Sequence, residues 1–375
     1  MWYKMVEIWF PYGETKVFAS LDVIRIAFEQ NLSEIKKIDD KKVLEELTSK
    51  LHQVRARRLC IYYCTTNHPK IADLLNELLN DFSSSGGEFE IYLIGPRGTR
   101  VRNSLERLKD HQDAIRQDHP ELCKVCDNSM YIGYALPSFL FGISGIGEAF
   151  LSLENRSISQ EAIDELSARE NNDKLNTSLN LISSVEESLN DRNLLSVVFL
   201  PGAEGVADMR VGNLREAAIE ASNVFKEMYG MRMSDVDGLV VSLGGAPYDY
   251  SMSESLDMMV SAVHANKSIE YGFIAEWGAG LGDEKITESF KKSLKELRAQ
   301  VLNRFDWMDL IVYALRTGEF LRGSYILTSL PHTLVKHTIG CKQCETANKL
   351  IQRVLHSVGD GKVGIIKSLP NAYLR

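Results

Sequence analysis

Twenty consecutive residues, Asn128 to Gly147, carry no charge, and the run closes on Glu148. A stretch of that length could cross a bilayer. Gly133, Pro137, Gly142, Gly145 and Gly147 interrupt helical continuity, however, and Ser129, Ser138 and Ser144 add hydroxyls that lipid would leave unsatisfied. No membrane partner is expected. Cysteine is scarce as well: six in 375 residues are too few for a secreted disulfide scaffold, so reduced thiols are expected. Basic residues are outnumbered, and the net charge of −8 disfavours a nucleic-acid-binding surface. The first residues place Lys4 and Glu7 inside their apolar part and offer no small-residue cleavage site. No signal peptide is read, and a cytoplasmic location is expected. Solenoid repeats and long low-complexity tracts are also lacking.

What is present is an alternation of strand-like and helix-like segments. Val6 to Phe10 and Thr15 to Ala19 flank a Pro11-Tyr12-Gly13 turn and read as a hairpin. Asp39 and Asp40 precede a helix whose apolar face is Val43, Leu44, Leu47 and Leu51. Arg58 to Cys64 is a continuous apolar strand, the pattern of a sheet covered on both faces. Further strand-helix-strand units run from Val197, from Leu239 and from Tyr325. The fold class is therefore α/β, with mainly parallel sheets flanked by helices and a ligand cleft between two domains. The division is placed at residue 230, giving domains 1–230 and 231–375, because Gly230 reads as the C-terminal cap of a long helix. Residues 154–192, rich in Glu, Asn, Asp and Ser, read as surface helix and loop.

Several residues have the chemistry of a site. Ser144, Gly145 and Gly147 sit in a glycine-rich loop whose amides suit a phosphate or carboxylate, although a tight turn explains the same spacing. Arg97 and Arg100 follow a strand end, where open α/β sheets bind ligands, although a solvated loop would carry such charges too. Cys123 with Cys126, and Cys341 with Cys344, have the pairwise spacing of thiolate metal ligands. The two pairs are far apart in sequence, and buried thiols are the plainer explanation. His68 also follows a strand end and is a candidate catalytic group.

Five pieces in order resemble the nickel-dependent lactate racemase family: Glu7 to Gly13, Gly98-Thr99-Arg100, Phe139 to Ala149, Leu239 to Asp249, and Ala275 to Gly282. Leu327 to Lys336 also fits its closing segment. The resemblance implies a two-domain α/β fold. It also implies a nickel-pincer nucleotide anchored by a lysine, with histidines that ligate the metal and exchange a proton of a 2-hydroxy acid. Carried over by position, the anchoring lysine matches Glu148 and the arginine before it Gly147. The family's histidines match Ser138 and Arg100, and its glutamine and lysine after the Gly-Gly-x-Pro loop match Glu254 and Asp257. No histidine lies between His119 and His264, and no lysine between Lys124 and Lys174, so a shifted register does not restore them.

No cofactor or metal is therefore expected. The expected ligand is a small anion, a 2-hydroxy acid or a phosphate-bearing molecule, held by Arg97, Arg100, Ser138, Ser144, Gly145, Gly147, Gly244 and Gly245. The alternative is an active racemase, epimerase or other isomerase or lyase using the same cleft, with Glu148 as an acid-base group raised in pKa by its apolar loop. Whether the chain is an enzyme, a homo-oligomer or one member of a pair of unlike subunits stays open.

Overall fold

The computed structural model describes residues 5–35, 39–54, 58–64, 69–93, 109–116, 128–145, 194–202, 205–233, 235–304 and 306–374. The chain opens with the hairpin β1 (Met5–Tyr12) and β2 (Thr15–Asp22), followed by β3 (Ile26–Glu29). Then come α1 (Asp40–Val54), β4 (Arg58–Cys64), α2 (Pro69–Ser84), β5 (Glu88–Leu93), β6 (Ile115–Arg116) and β7 (Asn128–Tyr134). A small hairpin, β8 (Leu136–Ser138) and β9 (Gly142–Ser144), precedes β10 (Leu194–Gly202), β11 (Gly205–Gly212) and α3 (Leu214–Tyr229). The remainder runs β12 (Gly230–Met231), β13 (Gly238–Ser242), α4 (Met252–Ala265), β14 (Glu270–Ile274), α5 (Glu284–Lys291), α6 (Leu294–Asn303) and α7 (Trp307–Gly318). It ends with β15 (Tyr325–Leu327), α8 (His332–Thr338), β16 (Lys342–Cys344), α9 (Ala347–Ser357), β17 (Val363–Ile366) and β18 (Tyr373–Leu374).

Two six-stranded sheets organise these elements. The first has the order β11-β10-β7-β4-β5-β6 and is parallel except for β11, which returns antiparallel to β10. The second, β16-β15-β14-β13-β17-β3, is parallel throughout. Both match the α/β class expected from the alternation. The uncharged run is explained by β7, which is buried at every residue because it lies between β10 and β4 in the middle of its sheet. A strand covered on both faces cannot place a charge on either.

Helices close over these sheets by their apolar stripes. On α9 the buried residues are Ala347, Leu350, Ile351 and Val354, one face at helical spacing, and Thr346 caps the helix by accepting from the Lys349 amide. Gly272 of β14 lets that helix approach: a Cβ there would stand 2.6 Å from Leu350 Cδ2. Asn213 caps α3 in the same way through the Glu216 amide. Gly230 does end α3, but with φ −64° and ψ 117° it is extended rather than left-handed. The chain passes directly into β12, which pairs with β18, so no reversing cap is needed there.

The start of the chain departs from the expected division. β3 hydrogen-bonds with β17 at the edge of the second sheet, and Ile8, Phe10, Ala19 and Leu21 of the first hairpin pack with the α9 side of that sheet. Residues 5–29 thus belong with the C-terminal half rather than with the unit expected to span 1–230. Sequence pattern shows a strand but not which sheet adopts it.

Gly133 in β7 marks another close approach. A Cβ at this position would collide with the Gly145 carbonyl, and one at Gly145, where φ is +77°, would collide with the Tyr134 backbone. Gly133→Ala is expected to give little soluble folded protein. Circular dichroism and gel filtration check this, and a normally folded variant would show that the two segments can part without cost.

Candidate functional site

The β8–β9 hairpin carries the first cluster of polar groups. Ser138 is 1% exposed, and its Oγ donates to Asp257 Oδ2 of α4 at 2.6 Å. The Phe139 amide donates to the other carboxylate oxygen at 2.8 Å, and the Phe141 amide donates to Ser138 Oγ at 3.1 Å. One carboxylate from the C-terminal half therefore caps a turn from the N-terminal half. Around it, Phe139 sets its ring 5.0 Å from those of His264 and Phe320, and Phe141 lies 5.1 Å from Trp307. The turn is an apolar plug seated on α4 and α7. The Ser138 hydroxyl and the Phe139 and Phe141 amides are engaged in holding it.

The second cluster gathers around Asp249, which is fully buried. Its Oδ2 accepts from the amides of Gly13 at 2.9 Å and Glu276 at 3.1 Å, and the Trp277 amide donates to its carbonyl at 2.8 Å. Three loops meet at this residue: the β1–β2 turn, the segment after β13, and the segment after β14. Asp249 Oδ1 has no hydrogen-bond partner among the described residues. Burial raises the Asp249 pKa above its ordinary value, the two amides oppose that shift, and the Glu276 carboxylate adds to it. The neighbouring Tyr12 hydroxyl is pushed up to about 12 by burial, with Glu276 and Asp249 contributing. Gly244 (φ +97°) and Gly245 (φ +70°) complete the junction, for a Cβ on Gly245 would stand 2.9 Å from Gly13 O.

The expected ligand-binding residues are thus divided between two places. Ser138, Ser144 and Gly145 share the β8–β9 hairpin, where Ser144 Oγ donates to Leu136 O at 3.4 Å. Gly244 and Gly245 sit against the first hairpin instead. Arg97, Arg100, Gly147, Glu148, His68, Cys123 and Cys126 lie outside the described residues, as does the segment 154–192. Cys341 and Cys344 are buried thiols; burial raises both pKa values, and Cys341 donates to Leu321 O. Among the described residues no group of three or more His, Cys, Asp or Glu could hold a metal ion. Cys60, expected as a reduced core thiol, is disulfide-bonded. Spacing alone does not reveal which thiols a fold brings together.

Sequence reasoning missed the tyrosines that join the halves. Tyr134 of β7 stacks on Tyr248, their hydroxyls 2.6 Å apart, and burial raises both pKa values. Tyr229 donates to the Pro201 carbonyl, to which Asn371 Nδ2 also donates at 3.1 Å. No periodic pattern marks such residues. Among the described residues no helix is long and apolar enough to cross a membrane.

No protein-family model matches this sequence, and no curated protein matches it. Among solved structures it is similar to the lactate racemase apoprotein from Thermoanaerobacterium thermosaccharolyticum, with a TM-score of 0.70 at 16% identity over 99% of this chain and 100% of that one. A UDP-GlcNAc 2-epimerase from Neisseria meningitidis bound to UDP-GlcNAc aligns at a TM-score of 0.16 and 8% identity, over 76% of this chain and 81% of that one, which is too unlike to carry an argument. The first likeness shows the fold. The chain has a lactate-racemase-like α/β architecture, and at this identity the likeness extends no further than architecture.

Proposed function

We propose that this protein keeps the racemase architecture without nickel-pincer racemisation and binds a small anion, a 2-hydroxy acid or a phosphate-bearing molecule, in the cleft lined by residues 95–102, 137–148, 244–249 and 276–282. The observation that carries the reading is the Ser138–Asp257 hydrogen bond of 2.6 Å. These residues stand where the resemblance implies a histidine and a lysine. Proton exchange with a hydroxy acid near neutral pH calls for a group such as imidazole. Here a serine hydroxyl and a buried carboxylate satisfy each other and the Phe139 amide instead. The described residues of this region therefore do not fit a nickel-pincer nucleotide, and no step is derived through one. Arg97 and Arg100, with Ser144 and the loop glycines, are the groups proposed to receive the anion.

The test is intact mass, nickel content and a D/L-lactate interconversion assay on protein purified from its native host, so that cofactor-building enzymes and any partner subunit are present. The expected result is an unmodified mass, no nickel and no interconversion, together with saturable binding of lactate or phosphate by calorimetry. A covalent adduct with one nickel per chain and measurable racemisation would overturn the reading.

A further inference from the structure

A small cavity lies between α3, α4, the β8–β9 hairpin and the C-terminal segment that includes β18. Among its lining residues are Ser222 and Lys226 of α3, Ser261 of α4, and Tyr373. Pro137, Ser138, Phe141, Gly142 and Ile143 of the 137–148 segment line it too, whereas the segments 244–249 and 276–282 do not. Ser222 and Lys226 are four apart on one helix and so project from the same face.

Three observations point to a ligand. First, Ser222 is fully buried and its Oγ has no hydrogen-bond partner among the described residues, an arrangement that costs about 1–3 kcal/mol unless something fills it. Second, Lys226 is half-buried and pairs with no carboxylate among the described residues, where its ammonium lies 5.6 Å from the centroid of the Tyr373 ring. Third, among the described residues no acidic side chain lines the cavity, and Lys226 is the one that brings a formal charge.

We propose that this cavity is a binding site for a small organic monocarboxylate, with Lys226 pairing with the carboxylate and the Ser222 and Ser261 hydroxyls donating to its oxygens. One ammonium neutralises one charge, which suits a monocarboxylate and would leave a phosphate dianion half uncompensated. An ammonium and two hydroxyls together match the acceptor sites of a single carboxylate. Ile143, Leu369, Leu374 and Ala262 form apolar walls that suit a short hydrocarbon tail. Burial lowers the Lys226 pKa, and a bound anion would offset that cost. The inference does not rest on the proposed function: the two share part of the 137–148 wall, but Lys226, Ser222 and Ser261, which would hold the carboxylate, belong to none of the cleft segments.

The test is calorimetric titration and thermal melting of the full chain with sodium butyrate and, separately, with inorganic phosphate, using wild type, Lys226→Met and Ser222→Ala. Butyrate is expected to bind wild type saturably and to raise its melting temperature. Lys226→Met should lose binding by about 30-fold or more, and Ser222→Ala by about 5- to 10-fold. Ser222→Ala removes an unpartnered hydroxyl, so it should melt no lower than wild type without ligand. That makes it informative even if Lys226→Met fails to fold. No saturable butyrate binding, butyrate binding indifferent to both substitutions, or phosphate binding as tight as butyrate and lost with Lys226→Met would overturn the proposal. Phosphate or lactate binding that survives both substitutions would instead report on the cleft.

Discussion

Phe139→Ala is expected to destabilise the protein by about 3–5 kcal/mol, the usual cost of emptying a fully buried aromatic site. Phe139 is 0% exposed and touches His264 and Phe320, side chains of the other half of the molecule. The lost ring leaves a cavity at the contact between halves, where Asp257 holds the turn by two hydrogen bonds and limits its collapse. Urea denaturation followed by fluorescence and circular dichroism measures the loss. Coupling to Asp257→Ala in a double-mutant cycle tests the geometry, since neighbouring groups in one cluster do not add. A loss below about 1 kcal/mol, or strict additivity with Asp257→Ala, would mean that the turn is not seated against α4 and α7.

Asp249 gives the second large effect, and it separates two substitutions of similar size. Asp249→Ala strips the Gly13 and Glu276 amides of their acceptor inside a buried junction, at an expected cost of about 2–4 kcal/mol. Asp249→Asn keeps one carbonyl oxygen, and a single oxygen, Oδ2, already accepts both amides. Its new NH2 would occupy the place of Oδ1, which has no partner to lose. Asn should therefore cost far less than Ala. The two also differ in pH dependence. The folded pKa of Asp249 is raised above its ordinary value of 3.8, so the folded state binds this proton more tightly than the unfolded state. Its contribution is most favourable at pH below 3.8 and declines as pH rises to the folded pKa, with a slope of at most about 1.4 kcal/mol per pH unit. Asp249→Asn should remove that slope. Denaturation of wild type and Asn variant across the acid range reads it directly, and identical slopes would show that Asp249 is not protonated more readily in the fold.

Strands and helices were legible wherever burial imposes a period. Arg58–Cys64 was read from its unbroken apolar run, and the expected helix through Leu51 is α1. β7 was hidden because its glycines and serines resemble a ligand loop. Only its position between two strands explains why Asn128 and Ser129 are buried. Pairing across long sequence separations was the hardest to see. Nothing local to Ile26–Glu29 says that it joins the last long strand, and nothing local to Asp257 says that it caps a turn 118 residues earlier. Ser222 and Lys226 are inconspicuous for a related reason. On sequence alone they are ordinary polar residues of an amphipathic helix, and only the missing partners distinguish them.

The pairing of β3 with β17 has a consequence for how the molecule is made. Synthesis makes Ile26 long before Val363, yet the two are partners in one sheet. The arm formed by β1 to β3 must wait, with its apolar hairpin uncovered, until β17 has emerged. Synthesis halted before β17 would leave that arm without its place in the sheet. Quality control that senses exposed apolar hairpins would thus distinguish a chain that has β17 from one that lacks it by a hairpin far upstream in sequence.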